Sequence, residues 1–344
     1  MNAGRLSSGQ IVRDTYTLVR HLGSGAFGDV YLARHRYMGL QAMKIFSKQE
    51  GPDALEEAYL LTRLSHPNIV RMFEANEFQA EQETYAYFTM EYVEGGTLAD
   101  YKTAKTSLAS RLHLAAGVLH GLAHAHAQSS PIIHRDISPS NILVDLSQSE
   151  PVAKIGDFGL AKHLDVASLL ASAGGKYLYM APESFLGIHT TATDVYSAGL
   201  VLFELLTGEH PFKTTLPRNA TDEDVAAIVR KSRTQLIPDA CQLNAELSAK
   251  WRSLFEAALA HNYDDRPKDA GELLELFNDC RSVPLTSTAS TKVPAMVLRA
   301  KELSWQVSTL DEAIDLLETA LLRDPSARVE YAELLSFWKR GIVQ

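Results

Sequence analysis

The spacing of apolar residues changes period partway along the chain, and that change limits what the chain can fold into. Residues 16–46 hold three short β-rich runs, YTLVRHL, DVYLARH and QAMKIF, with glycines at the first break. A helical pattern follows over 53–64, DALEEAYLLTRL, with Leu55, Tyr59, Leu60 and Leu64 at helical spacing. YAYFTMEYV returns to strand composition and EGGTL breaks it. From Ser107 onward long helical patterns dominate, such as SLASRLHLAAGVLHGLAHAHA and DVYSAGLVLFELLTG. A strand-rich small part thus precedes a helix-rich large one, which predicts a segregated α+β chain.

Residues 282–295, SVPLTSTASTKVPA, are rich in Ser, Thr and Pro, with little apolar surface to bury, and read as a linker. Three helical stretches come after it, near 296–306, 309–323 and 327–340. Within LDEAIDLLETALLRDP, Ala313, Ala320 and Pro325 stand at the offsets of a tetratricopeptide helix pair, but Lys301 occupies an expected small-residue position. A tetratricopeptide-like unit and a generic helical hairpin both fit.

The chain has 344 residues, of which 46% are hydrophobic and 22% charged, ample for a buried core. A net charge of −9 argues against nucleic acid as the partner. Cys241 and Cys280 make no disulfide framework and fit a reducing compartment. No apolar window reaches the roughly 18 residues of a membrane span. The opening MNAGRLSSGQ lacks the apolar core of a signal peptide. These features predict a cytoplasmic protein.

LGSGAFGDV, residues 22–30, places Gly23, Gly25 and Gly28 at G-x-G-x-x-G spacing. In a dinucleotide-binding turn this spacing opens a helix, whereas here DVYLARH continues as a strand. A strand–loop–strand hairpin can close over a nucleotide, its glycine amides approaching the phosphates. Lys44 follows in AMKIF, and Glu57 lies on the predicted helix nine residues before HPNIV. HRDISPSN then supplies His134, Arg135, Asp136 and Asn141, and GDFG supplies Asp157. Singly, each charge would be a solvated surface group. Their order along one chain is what carries information.

With these motifs the chain resembles the eukaryotic-type Ser/Thr protein kinases, bacterial members included, over about residues 16–280. The resemblance implies a bilobal fold: an antiparallel-sheet N-lobe (16–92) with one helix, and a helical C-lobe (93–281). A tail (1–15) would precede this domain, and an α-helical tail (296–344) would follow the linker. The implied cofactors are ATP and Mg²⁺, and the implied substrate is a protein. The C-terminal helices could dock a partner or fold back on the domain.

By resemblance, Lys44 holds the ATP phosphates and Glu57 orients it. Asp136 accepts or orients the substrate hydroxyl's proton, while Asn141 and Asp157 bind metal. Gly23, Ser24, Gly25 and Gly28 lie in the phosphate-covering loop. Leu22, Val30, Ala42 and Leu143 sandwich the adenine, although plain core packing explains these apolar residues nearly as well. Met90 is the gatekeeper, and Glu91 and Val93 offer hinge backbone groups. MAPE, the helix starting near Asp194, and DDRP extend the match. They imply a buried Glu183–Arg266 ion pair and an Asp194 that supports the catalytic loop.

Two positions depart from the family pattern. Ser138 stands where Ser/Thr kinases place a lysine, and Lys176 stands where they commonly place threonine. These positions approach each other in the fold, so Lys176 is a candidate to replace the missing charge beside the γ-phosphate; alternatively it points to solvent. Arg135 implies an activation-segment phosphosite, with Ser172 first in line and Ser168 next. Ser138 and Ser140 occupy places where tyrosine kinases carry arginine, which favours Ser/Thr substrates. The rival reading is a nucleotide-binding pseudokinase scaffold acting through its helical tail. The intact Lys44, Asp136, Asn141 and Asp157 speak against it.

Overall fold

The computed structural model describes residues 6–25, 28–46, 61–62, 64–80, 83–101, 106–148, 150–158, 176–214, 221–282, 300, 310–323 and 328–339. The described residues fall into two compact units, one within 1–244 and 249–280, the other within 245–248 and 281–344.

The first unit begins with a six-stranded antiparallel sheet. Its strands are β1 (Ile11–Val12), β2 (Tyr16–Gly25), β3 (Gly28–His35), β4 (Gly39–Phe46), β5 (Met72–Ala80) and β6 (Glu83–Glu91). They are ordered β1-β2-β3-β4-β6-β5. Side chains alternate across a strand, and directly paired residues share a face. Tyr16, Leu18, Tyr31, Ala33, Met43, Ile45, Tyr85 and Tyr87 accordingly build a core on one face. The register pairs Val30 with Lys44, Ala42 with Met90, and Lys44 with Phe88, so these residues look out from the other face. That second face forms the roof of the cleft described below.

Gly28 shows why the hairpin break needs glycine. Its φ is +143°, and a Cβ there would come 1.9 Å from the carbonyl oxygen of Ile45. Part of the expected tail also belongs to this unit: Ile11 and Val12 pair with β2, Leu6 and Val12 are buried, and the Leu6 N–H donates to Tyr31 Oη at 3.0 Å. The helix predicted over 53–64, with Glu57, lies outside the described residues apart from 61, 62 and 64.

Helices dominate the rest of the first unit. α1 (Leu108–His126) starts at Ser107, whose side chain accepts from the Ser110 N–H. A short hairpin follows, β7 (Ile142–Asp145) with β8 (Val152–Ile155). α2 (Thr191–Thr207) opens with a Thr190/Thr193 capping box and ends at Gly208, φ +84°. Nearly every residue of α2 is buried, which suits its uninterrupted apolar run, and α1 packs against it. α3 (Asp222–Ser232), α4 (Ala240–Leu243), α5 (Lys250–Ala258) and α6 (Ala270–Ser282) follow.

The lobes are joined through the Asn68 loop. Asn68 Nδ2 donates to Ala153 O at 2.9 Å, and Asn68 O accepts from the Ile155 N–H at 2.9 Å. α1 comes so close that a Cβ at Gly121 would stand 2.6 Å from Asn68 O. In the second unit α7 (Leu310–Arg323) buries Leu310, Ala313, Leu317 and Leu321 with Trp338 of α8 (Arg328–Lys339). The first predicted tail helix lies outside the described residues except at Ala300.

Candidate active site

The loop from His134 to Asn141 is held from below by α2. Asp194 accepts from the His134 N–H at 2.6 Å and from the Arg135 N–H at 2.8 Å, and its Oδ2 lies 3.0 Å from His126 Nε2. Arg135 sits at φ +69°, a left-handed conformation unusual for arginine, so the loop depends on this anchorage.

His134 then ties the loop to Asp157. Its Nδ1 accepts from the Asp136 N–H at 3.2 Å, which leaves Nε2 to carry the proton it gives Gly156 O at 2.8 Å. Its ring packs on Phe158, centroids 4.6 Å apart. Asp157, at φ +54°, is turned toward Lys44 of β4, whose Nζ donates to Asp157 Oδ1 at 2.9 Å. Burial alone would raise the Asp157 carboxyl's pKa. The charge and hydrogen bond of Lys44 outweigh it, with help from Lys176, and hold it below the ordinary carboxylate value.

Asn141 Nδ2 donates to both Asp136 O, at 2.7 Å, and Asp136 Oδ2, at 2.8 Å. Lys176 begins a 3₁₀ turn, Lys176–Tyr179, and its Nζ donates to Asp136 Oδ2 at 2.6 Å and to Asn141 Oδ1 at 3.2 Å. Ser138 is buried, 1% exposed, and its hydroxyl lies 3.0 Å from that of Ser140.

Beside this cluster lies a cleft of about 470 Å³. Leu22, Val30 and Ala42 line it from the sheet, Met90 and Glu91 from the end of β6, Val93 from just beyond it, and Leu143 from β7, with Asn141 and Asp157 also in its lining. Gly23 and Ser24 lie on β2, where the Ser24 hydroxyl donates to Asp29 Oδ1 at 2.6 Å. Ser168, Ser172 and Glu57 lie outside the described residues. Lys154 escaped the sequence reading: from β8 it pairs with the Glu91 carboxylate at 3.0 Å. A lone charge in VAKI gave no signal for that contact.

Among the described residues no three His, Cys, Asp or Glu side chains gather as a metal site by themselves. Asp157 and Asn141 offer two hard oxygen donors in the lining of a nucleotide-sized cleft. That set suits Mg²⁺, which usually shares its ligands between one or two carboxylates, phosphates and water.

The MAPE region is braced separately. Arg266 Nη1 and Nη2 donate to Glu183 Oε1 and Oε2 at 2.7 and 2.9 Å, fully buried, as the resemblance implied.

Residues 16–337 match the protein kinase domain family, and the chain belongs to that family. The match runs past 281, where the sequence reading ended the domain. A probable serine/threonine-protein kinase PknB of Lactococcus lactis subsp. lactis is 32% identical, over 77% of this chain and 42% of that protein. Serine/threonine-protein kinase ATG1a of Arabidopsis thaliana is 34% identical, over 69% of this chain and 39% of its own length. Serine/threonine-protein kinase PrkC of Bacillus subtilis is 36% identical, over 59% of this chain and 32% of its own. The chain therefore spans less than half the length of these relatives. Among the described residues no helix is long and apolar enough to cross a membrane.

Proposed function

We propose that the chain is a protein kinase that uses ATP and Mg²⁺ to phosphorylate Ser/Thr hydroxyls of protein substrates. The observation that carries this reading is the convergence of Lys44–Asp157 and Asp136–Asn141 at one cleft. In this reading Leu22, Val30, Ala42 and Leu143 clasp the adenine, and the Glu91 and Val93 backbone pairs with its edge. Lys44 holds the phosphates and keeps Asp157 ionised. Asp136 orients the attacking hydroxyl and takes its proton. Mg²⁺, held by Asp157 and Asn141, would neutralise and align the phosphates.

Lys176 supplies the positive charge that Ser138 cannot. Its reach to Asp136 and Asn141 supports that role, as does the engagement of Ser138 with Ser140. We assign autophosphorylation to Ser172, then Ser168, from their place in the sequence. We divide the chain into a catalytic domain at 16–281 and a helical tail at 296–344, the tail serving a protein partner or the domain itself. Cys241 and Cys280 are not bridged, which supports a reducing, cytoplasmic setting.

Incubation with γ-labelled ATP, Mg²⁺ and casein, followed by phosphoamino-acid analysis, tests the activity. Label on serine or threonine is expected with wild type and not with Asp157→Asn. Label absent from both overturns the kinase reading in favour of a nucleotide-binding scaffold. Phosphopeptide mapping of active enzyme that finds 159–175 unmodified removes the Ser172 and Ser168 assignment.

A further inference from the structure

Lys176 does more than approach Asp136; it bonds the one oxygen of Asn141 that a metal ion would use. The Asn141 amide is locked in orientation, because its Nδ2 already donates to Asp136 O at 2.7 Å and to Asp136 Oδ2 at 2.8 Å. Both partners are acceptors, so the amide cannot be flipped. Oδ1 must therefore face the other way, and there it accepts from Lys176 Nζ at 3.2 Å. The same ammonium donates to Asp136 Oδ2 at 2.6 Å.

We propose that the Lys176 ammonium stands in for a second divalent cation, so that this site works with a single metal ion held at Asp157. The proposal rests on the kinase reading above and revises one part of it: Asn141, given there as a metal ligand, is engaged by Lys176 instead, and Asp157 alone keeps the ion. An ammonium at hydrogen-bond distance from Asn141 Oδ1 and a magnesium ion about 2.1 Å from that oxygen would be neighbouring cations. They exclude each other by repulsion and by competition for the same lone pairs.

The lysine is also placed to stay where it is. Its turn is anchored two residues on, where Leu178 O accepts from Arg233 Nη2 and lies 3.0 Å from His210 Nε2. Arg233 is itself buried, its guanidinium 4.9 Å from the Phe212 ring centroid. A fixed monovalent charge near the transferring phosphate needs no cation recruited from solution. A second cation site would bind and release with Mg²⁺ concentration.

The test counts metal ions with Mn²⁺ as the probe. The full chain is titrated with Mn²⁺ and a non-hydrolysable ATP analogue, free Mn²⁺ is read by electron paramagnetic resonance, and binding to the analogue alone is subtracted. One Mn²⁺ per chain is expected for wild type and Lys176→Arg, and two for Lys176→Met and Lys176→Thr, each variant checked for a wild-type thermal transition. Two in wild type, or one in all four proteins, overturns the proposal and leaves the kinase reading standing. No Mn²⁺ bound to wild type with the analogue overturns both.

Discussion

Asp194 holds Arg135 in a conformation that arginine rarely adopts: the Arg135 N–H donates to Asp194 Oδ1 at 2.8 Å while φ stands at +69°. The carboxylate also accepts the His134 N–H, so a single buried side chain satisfies two successive backbone donors. Replacing it by asparagine turns one acceptor into a donor facing an N–H. Asp194→Asn should therefore lose about 2–4 kcal/mol of stability, the cost of stranding a buried donor plus a lost charge-assisted bond. Chemical denaturation measures this. A change below about 0.5 kcal/mol would mean that the loop holds its own shape.

The Glu183–Arg266 pair should respond differently from an ordinary buried ion pair. Arg266→Met leaves Glu183 buried and uncompensated, with an expected loss of about 3–5 kcal/mol. In many proteins, replacing both partners by apolar residues restores the stability. Here Arg266 also donates to the carbonyls of Ala260, Ala192 and His261 at 2.7, 3.1 and 3.0 Å. The double variant Glu183→Leu/Arg266→Met strands those acceptors, so it should remain well below wild type in urea midpoint. Full recovery would show that the carbonyls find water instead.

Much of this fold was legible because its signals are local. Three strands between 16 and 46 follow from β-rich runs and glycine breaks, and α1 and α2 from long apolar patterns with caps. β5 was not legible: in MFEANEFQA only Phe78 is buried, so an edge strand left no alternating pattern to read. Lys44, Asp136, Asn141 and Asp157 were readable as motif residues. The Lys154–Glu91 pair was not, since it joins a β8 side chain to a residue read only for its backbone. The partner taken by Ser138 was equally hidden, because only the fold brings its hydroxyl to that of Ser140.

Acid should loosen the junction between the lobes before it affects ordinary carboxylates. His66 stacks on His124 of α1, centroids 4.9 Å apart, and its Nδ1 accepts from the Asn68 N–H at 3.1 Å. Burial, followed by the charges of His124, His120 and Lys154, lowers the His66 pKa below its ordinary 6.5. The unfolded chain then binds a proton there more readily than the folded one, so stability falls as pH drops through 6.5 toward the folded value. The thermal midpoint should decline between pH 7 and 5.5, and more shallowly in His66→Gln. Equal slopes in the two proteins would place the sensitivity elsewhere.

The exchange of charge between positions 138 and 176 makes the sharpest kinetic prediction. Lys176 Nζ lies 2.6 Å from Asp136 Oδ2, beside the cleft where the phosphate would be transferred. If it stabilises charge on that group, Lys176→Ala should lower kcat about 10²-fold in single-turnover measurements, with a smaller change in KM for ATP. The double variant Ser138→Lys/Lys176→Thr moves the ammonium to the position where the resembling kinases carry it, and should recover part of the lost rate. Recovery distinguishes a charge requirement from damage to the Lys176–Tyr179 turn, which the threonine alone would not repair. An unchanged kcat for Lys176→Ala would show that Asp136 and Asn141 do their work without it.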